Sequence, residues 1–253
     1  GAGNLKSLVV VIFLGIFAYM TLRGLTGLVR VELEGILNIN LEASGIDDQG
    51  LPTFLSFLGL SDLTARLIST GVITLGLFWF VFKSSEFRAS KADLTGGVII
   101  GLLIPTAWYV TGVIGFDDFE PTPLTSFSFV APVGESIQYL MTFTGSTINF
   151  GIAVVAGVIV GSFLAAKLSG EFKIEAFTDS NDMIRHVIGA SIMGFGGVLA
   201  LGCTIGQGIT GMSTLALGSV LALGSIFLGG YYGLKYMEEG TLSGALAAVF
   251  GRN

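Results

Sequence analysis

The feature that most constrains this chain is the spacing of its charged residues, which leave five long intervals without Lys, Arg, Asp or Glu. About 20 apolar residues cross the hydrocarbon core of a bilayer, and a charge at its centre costs several kcal/mol. The chain is 52% hydrophobic and 12% charged, about half the charged fraction of an ordinary soluble domain. We therefore expect an all-α integral membrane protein. The intervals are 7–22, 67–82, 94–116, 136–166 and 186–234.

The lengths of the intervals predict the number of spans. The first three intervals hold one span each. The fourth is too long for one helix, so we expect a short half-helix over 136–145 that dips into the bilayer and returns, followed by a span from about Asn149. The fifth is long enough for two spans and a connection. The total is about six transmembrane helices in one polytopic membrane domain, residues 1–253.

The distribution of Lys and Arg among the loops predicts the orientation, because basic loops stay on the cytoplasmic side. The loops 83–91 and 167–185 are short and basic, whereas 117–135 contains no Lys or Arg. We expect the two basic loops and Lys6 on the cytoplasmic side. The connection at 202–211 then lies on the outer side or dips toward the midplane.

Several functions are excluded by charge and by cysteine content. The net charge is −6 and the longest basic cluster is Lys83, Arg88 and Lys91, which argues against a nucleic-acid partner. Cys203 is the only cysteine, so an internal disulfide or a multi-cysteine metal site cannot form. No other pattern predicts a cofactor, and we expect none.

The connection inside the last interval, GCTIGQGITG at 202–211, is the candidate for function. Its four glycines and small polar side chains are expected to interrupt the helix, and irregular backbone at membrane depth must be buried in protein or line a cavity. A helix that opens near 211–213 would direct its partial positive charge toward an anion. Neutral donors suit an anion that must be released again. The predicted substrate-pathway residues are Gly202, Cys203, Thr204, Gln207, Gly208 and Ser213, with Thr210 as a further donor.

Other interpretations of these residues compete. A lone membrane cysteine is often a small buried hydrophobe, and His186 beside Arg185 is more typical of an interfacial side chain than of a proton carrier. The stretch 206–211 fits a dinucleotide-binding pattern but lacks the preceding strand and the later acidic residue. The turn at 211–213, with His186 as a base, is similar to that of intramembrane serine proteases but in the wrong order. We expect no enzyme.

The stretch 194–230 closely resembles the C-terminal signature of the YeeE/YedE family of bacterial and archaeal inner-membrane proteins, which includes thiosulfate transporters. Weaker agreement covers 1–8, 126–151 and 170–177. The resemblance implies a pseudo-two-fold inverted-repeat transporter fold in which re-entrant helices meet at a narrow waist lined by cysteines. It also implies that thiosulfate passes by transient hydrogen bonds to thiols, and that Cys203 is the family's C-terminal cysteine.

The other family cysteines belong to motifs that precede the stretch similar to residues 1–8. The resemblance therefore implies that an N-terminal portion is missing and that this chain is the C-terminal two thirds of a longer transporter. Such a fragment is expected to expose apolar faces and to associate when extracted alone.

The function expected from this resemblance is uptake of thiosulfate or a related small sulfur-containing anion by a permease of the inner membrane. A cytoplasmic TusA-like sulfurtransferase is the implied partner. Two alternatives stay open: an importer of selenium compounds, and a membrane protein that binds the sulfurtransferase without conducting.

The orientation predicts that cysteines introduced as Arg88→Cys and Asp118→Cys label from opposite faces of the membrane. The measurement is labelling of intact cells with a membrane-impermeant maleimide, and a parent chain with Cys203→Ala gives the background. Labelling of both positions from the same face would contradict the topology.

Overall fold

A computed structural model of the chain describes residues 3–37, 48–117, 123–177 and 179–250. These residues are mostly helical and contain no strand longer than an isolated bridge. A π-helical turn, Val110–Ile114, extends the helix Lys91–Tyr109, and a second one is Gly206–Gly211. The helices are α1 Leu5–Arg23, α2 Thr26–Leu37, α3 Leu51–Phe57, α4 Asp62–Lys83, α5 Ser85–Ala89, α6 Lys91–Tyr109, α7 Val130–Met141, α8 Phe150–Leu168, α9 Ser180–Leu199, α10 Leu217–Glu239 and α11 Leu242–Phe250.

Five helices in the described part of the chain are long and apolar enough to cross a membrane. They are α1, α4, α6 with its π-helical extension, α8 and α10. A sixth helix, α9, has 20 residues but begins with the polar sequence SNDMIRH, which lowers its mean hydropathy. Five of the six predicted spans thus coincide with helices that are able to cross a membrane, and the span on α9 stays a prediction. The all-α membrane fold is confirmed.

Polar side chains set the first turns of several helices. Asn4 and Asn149 each accept a hydrogen bond at 2.9 Å from the backbone amide three residues later, at the starts of α1 and α8. Ser84 and Ser90 do the same for α5 and α6 at 3.3 Å. Each cap satisfies one of the amides that a helix leaves unpaired at its first turn.

A short helix lies in the region predicted to form a half-helix, but its bounds differ from 136–145. Helix α7 begins at Val130 instead of residue 136, because Pro132 is compatible with a first helical turn and Glu135 does not end the helix. After α7 the chain turns back, and the Asn149 side-chain amide donates to the Glu135 carboxylate at 2.7 Å. A short helix and a return are therefore present, while their depth in a bilayer stays a prediction.

Helix α1 is the centre of the packing and contacts α9 and α7 closely. At Gly194 on α9, a Cβ atom would lie 2.5 Å from the Leu14 carbonyl oxygen of α1. At Gly134 on α7, a Cβ atom would lie 2.9 Å from the Gly15 carbonyl oxygen. Such backbone contact is typical of membrane helices, which associate through small residues.

Two small clusters of buried apolar side chains surround these contacts. The first joins four helices and the second lies nearer the C-terminal ends of α1 and α9. The first cluster contains Leu14, Val133, Val155 and Ala190, and the second contains Ala18, Val130 and Val198.

Segments predicted to share a side of the membrane lie together. The Lys6 ammonium is 2.8 Å from the Asp182 carboxylate, so α1 and α9 start at the same end and run parallel. At the far end, the Leu51 amide donates to the Leu215 carbonyl at 2.9 Å, which joins the loop before α3 to the segment after Cys203. Which end is cytoplasmic stays a prediction. Asp118 and the loop residues 38–47 lie outside the described residues.

The contact between α1 and α9 predicts that Gly194→Ala lowers the free energy of unfolding by about 1–3 kcal/mol, because its methyl group would overlap the Leu14 carbonyl. Gly189→Ala on the same helix is the matched control, since no atom lies within 4 Å of a Cβ there. The measurement is the thermal unfolding midpoint of both variants in detergent. Equal midpoints for Gly194→Ala and the parent would refute this packing.

Candidate functional site

Helix α9 ends in a two-bond cap just before Cys203. The Leu201 amide donates to the Val198 carbonyl at 3.0 Å, and the Gly202 amide donates to the Gly197 carbonyl at 2.8 Å. This cap normally has glycine at its left-handed position, but here Leu201 adopts φ 56°. The chain is thereby redirected at Gly202, and Cys203 follows immediately.

The helix is interrupted in this region, as predicted, but most of the glycine-rich stretch is itself helical. Residues 204–213 form a short helical segment with the π-helical turn at its centre. The breaks lie on either side of this segment, at 200–203 and at 214–216, and Leu215 has a second left-handed φ of 57°. The glycines of the π-helical turn let neighbouring parts of the chain approach this turn closely.

The predicted helix start near 211–213 was wrong. The short segment ends there, and α10 begins only at Leu217. The Ser213 hydroxyl donates to the Thr210 carbonyl at 2.5 Å, and the Thr214 hydroxyl donates to the Gly211 carbonyl at 2.8 Å. These hydroxyls satisfy carbonyl groups at the end of a helix, and Ser213 is exposed.

Gln207 is the central polar side chain of the segment. Its side-chain nitrogen donates to the Ala200 carbonyl at 2.7 Å, and its side-chain oxygen accepts from the Ser219 hydroxyl at 2.6 Å. Its backbone amide donates to the Cys203 carbonyl at 2.7 Å. Gln207 thus connects the end of α9 with the first turn of α10. Sequence reasoning missed Ser219, because a serine inside an apolar helix has no local signature.

The segment also packs against the stretch that leads into α7. The Thr210 hydroxyl donates to the Phe127 carbonyl at 2.8 Å, and a Cβ at Gly206 would lie 2.8 Å from the Ser128 hydroxyl. The hydrogen of the Thr210 hydroxyl is therefore used within the protein, although Thr210 was predicted as a donor to an anion. Thr204 is exposed, Gly208 is half-buried and Gly202 is buried.

The Cys203 side chain lies where three helices meet. It is half-buried and packs against the second cluster, which Ala18 of α1, Val130 of α7 and Val198 of α9 form. The side chain therefore fills space like a small hydrophobe and is still partly accessible. The two interpretations of this cysteine from sequence are compatible in the structure.

An open cleft of about 410 Å³ adjoins the far end of the segment. The Asp48 carboxylate accepts from the Thr53 hydroxyl at 2.8 Å and from the Gly50 amide at 2.5 Å, and these hydrogen bonds hold the pKa of Asp48 below its usual value. The Arg66 guanidinium is exposed and lies 3.3 Å from Asp62. No sequence pattern predicted a functional site in this loop. The lining residues are Asp48, Gln49, Gly50, Pro52, Thr53, Arg66, Thr214 and Ala216.

His186 lies at the other end of α9. Its Nδ1 atom is 3.1 Å from the Asp182 carboxylate, and its ring meets Phe177 edge-on. Because α9 rises about 1.5 Å per residue, roughly 20 Å of helix lie between His186 and the C-terminal end of α9, which precedes the segment that carries Ser213. The structure does not bring these two residues together as a catalytic pair. Within the described ranges, no group of three His, Cys, Asp or Glu side chains could hold a metal ion.

Comparison with known proteins identifies the relatives of the chain. The family described as Sulphur transport matches residues 1–232. Thiosulfate transporter TsuA of Escherichia coli (strain K12) is 35% identical over 112 residues, 44% of this chain and 30% of that protein. Thiosulfate transporter TsuA of Spirochaeta thermophila is 26% identical over 162 residues, 64% of this chain and 46% of that protein. The chain thus aligns with less than half the length of either relative. It belongs to the sulphur transport family, as its resemblance to YeeE/YedE proteins predicted.

Proposed function

We propose that this chain forms part of a membrane permease for thiosulfate or a related small sulfur-containing anion, with Cys203 on the path. The observation that carries the proposal is the position of this thiol. It is the only one in the chain, it is half-buried where α1, α7 and α9 meet, and it lies at a helix break. The names of the two relatives support thiosulfate as the substrate.

The chemistry of the segment suits weak and reversible binding. A neutral thiol is a weak donor and a polarizable group, so it favours a soft sulfur atom over the harder oxygens of sulfate. Residues 200–216 contain no charged side chain, so no fixed cation there would hold the anion. A permease must release its substrate as readily as it binds it.

The proposed pathway residues divide into two roles. Gly202 and Gly208 let the backbone approach closely, and the exposed Thr204 hydroxyl is available to a passing ion. Ser213 is also exposed, but its hydroxyl donates to the Thr210 carbonyl and must leave that bond to contact the anion. Gln207 makes three hydrogen bonds within the protein, which supports a scaffold role more than direct contact with the anion.

The cleft beside Thr214 opens next to this path. Among the described residues that line it, the one guanidinium, that of Arg66, is paired with the Asp62 carboxylate, and the Asp48 carboxylate adds a further negative charge, so the cleft has no net attraction for an anion. The proposed path therefore does not depend on electrostatic collection of the anion at this cleft.

A cytoplasmic TusA-like sulfurtransferase is the proposed partner. Lys83, Arg88 and Lys91 are exposed around α5, in a loop predicted to be cytoplasmic. Such a basic surface fits an acidic surface on a carrier protein. Capture of the carrier without any uptake would instead favour a non-conducting membrane partner.

The proposal predicts that Cys203→Ser, in a protein that contains this chain at its native length, reduces thiosulfate uptake per folded molecule at least about tenfold. Serine keeps a donor of similar size, so the change removes the soft sulfur contact rather than the packing. A packing defect alone costs about 1 kcal/mol and lowers abundance before turnover. The measurement is uptake of labelled thiosulfate normalised to folded protein.

Cys203→Ala provides the comparison in which both the donor and the sulfur are lost. Ser225→Ala is the matched control, because Ser225 is an exposed serine of α10 that bonds only to its own helix at Leu221. Near-normal uptake by Cys203→Ser would return Cys203 to the role of a buried hydrophobe.

A further inference from the structure

Ser219 is a buried polar side chain that the proposed pathway does not use. It lies in the first turn of α10 and is 4% exposed. Its hydroxyl donates to the Gln207 side-chain oxygen at 2.6 Å. This bond joins two residues that are 12 positions apart and belong to different helical segments.

The Gln207 side-chain amide is held at both of its ends. Its nitrogen donates at 2.7 Å to the Ala200 carbonyl, which can only accept and therefore sets the orientation of the amide. Its oxygen then faces Ser219, whose hydroxyl donates to it and holds it in place. If the amide rotated, its nitrogen would meet Ser219, and its oxygen would face the Ala200 carbonyl, which cannot donate.

Gln207 in turn closes the loop that carries the thiol. Its side chain holds Ala200 on one side of Cys203, and its backbone amide donates to the Cys203 carbonyl at 2.7 Å. Together with the cap of α9, these two hydrogen bonds hold the backbone of residues 200–203. The Cys203 side chain reaches the second cluster from this position.

The hydrogen bond between Ser219 and Gln207 lies directly beside Gly211. A Cβ at Gly211 would lie 2.8 Å from the Gln207 side-chain oxygen and 3.0 Å from the Ser219 Cβ. A larger residue at 211 would separate the two groups. The glycine of the π-helical turn therefore makes this contact possible.

We propose that Ser219 is a positioning residue that acts through Gln207 to hold the Cys203 thiol at the junction of α1, α7 and α9. Its relevance to transport rests on the proposed function. The positioning itself is a property of this chain and can be measured without substrate.

The test is the rate at which N-ethylmaleimide alkylates Cys203, the only cysteine in the chain, in membranes that contain it. Ser219→Ala is expected to raise this rate about fivefold, the factor by which loss of one hydrogen bond increases a locally open population. Gln207→Leu is expected to raise it at least as much. The double variant should react no faster than Gln207→Leu alone, because the two residues act in series.

Two controls separate positioning from general loosening. Ser225→Ala removes a hydroxyl from the same helix that bonds only to Leu221, and it should leave the rate unchanged. Val155→Ala opens a cavity in the first cluster, away from Cys203, and should destabilise the protein without changing the rate.

An unchanged rate in Ser219→Ala, or an equal rise in Val155→Ala, would overturn the positioning role. Additive effects of Ser219→Ala and Gln207→Leu would also overturn it. These outcomes are independent of the uptake experiment. Normal uptake by Cys203→Ser combined with a faster alkylation in Ser219→Ala would refute the pathway and leave the positioning intact.

Discussion

The structure depends on the contact of α1 with α9 and α7, where glycine allows backbone to meet backbone. In lipid the hydrophobic effect does not drive helices together, so association relies on close van der Waals packing. Gly194 brings α9 close to α1, and Gly134 brings α7 close to α1. The two apolar clusters form around these contacts, and the second cluster receives the Cys203 side chain. The position of the thiol therefore depends on how closely α1 approaches its neighbours.

The segment that carries Cys203 is held between two strained residues. Leu201 and Leu215 both have left-handed backbone conformations, which cost roughly 1–2 kcal/mol each for a residue with a side chain. Hydrogen bonds at both ends offset this cost: the cap of α9 at Leu201, and the bond from Leu51 to the Leu215 carbonyl. Strain that the surrounding structure maintains is common at functional sites. The geometry around Cys203 is thus maintained at both ends of the segment as well as by Gln207 within it.

The spans could be predicted from sequence because a charge in hydrocarbon is costly, so uncharged intervals of sufficient length have few alternatives. The start of α7 could not be predicted in this way. The charge of Glu135 marks the end of an uncharged interval, but Glu135 lies inside the helix, where the Asn149 side-chain amide donates to its carboxylate. The helical character of 204–213 was missed because glycines in a row usually indicate a break. Ser219 could not be found at all, since its role depends on Gln207 in another segment. The helices can be predicted from local sequence patterns, whereas the geometry of the site depends on hydrogen bonds between residues of different segments.

The parallel course of α1 and α9 has a consequence for how the protein is made. Two parallel neighbours cannot be joined by a short turn, and the Lys6–Asp182 contact spans 176 positions of sequence. At about 5–20 residues per second, α1 waits roughly ten to thirty-five seconds in the membrane before α9 has been synthesised. During that time the face of α1 that later contacts Gly194 of α9 lacks this partner. Assembly of the core is therefore a late event of biosynthesis, and it completes the surroundings of Cys203 only after most of the chain has entered the bilayer.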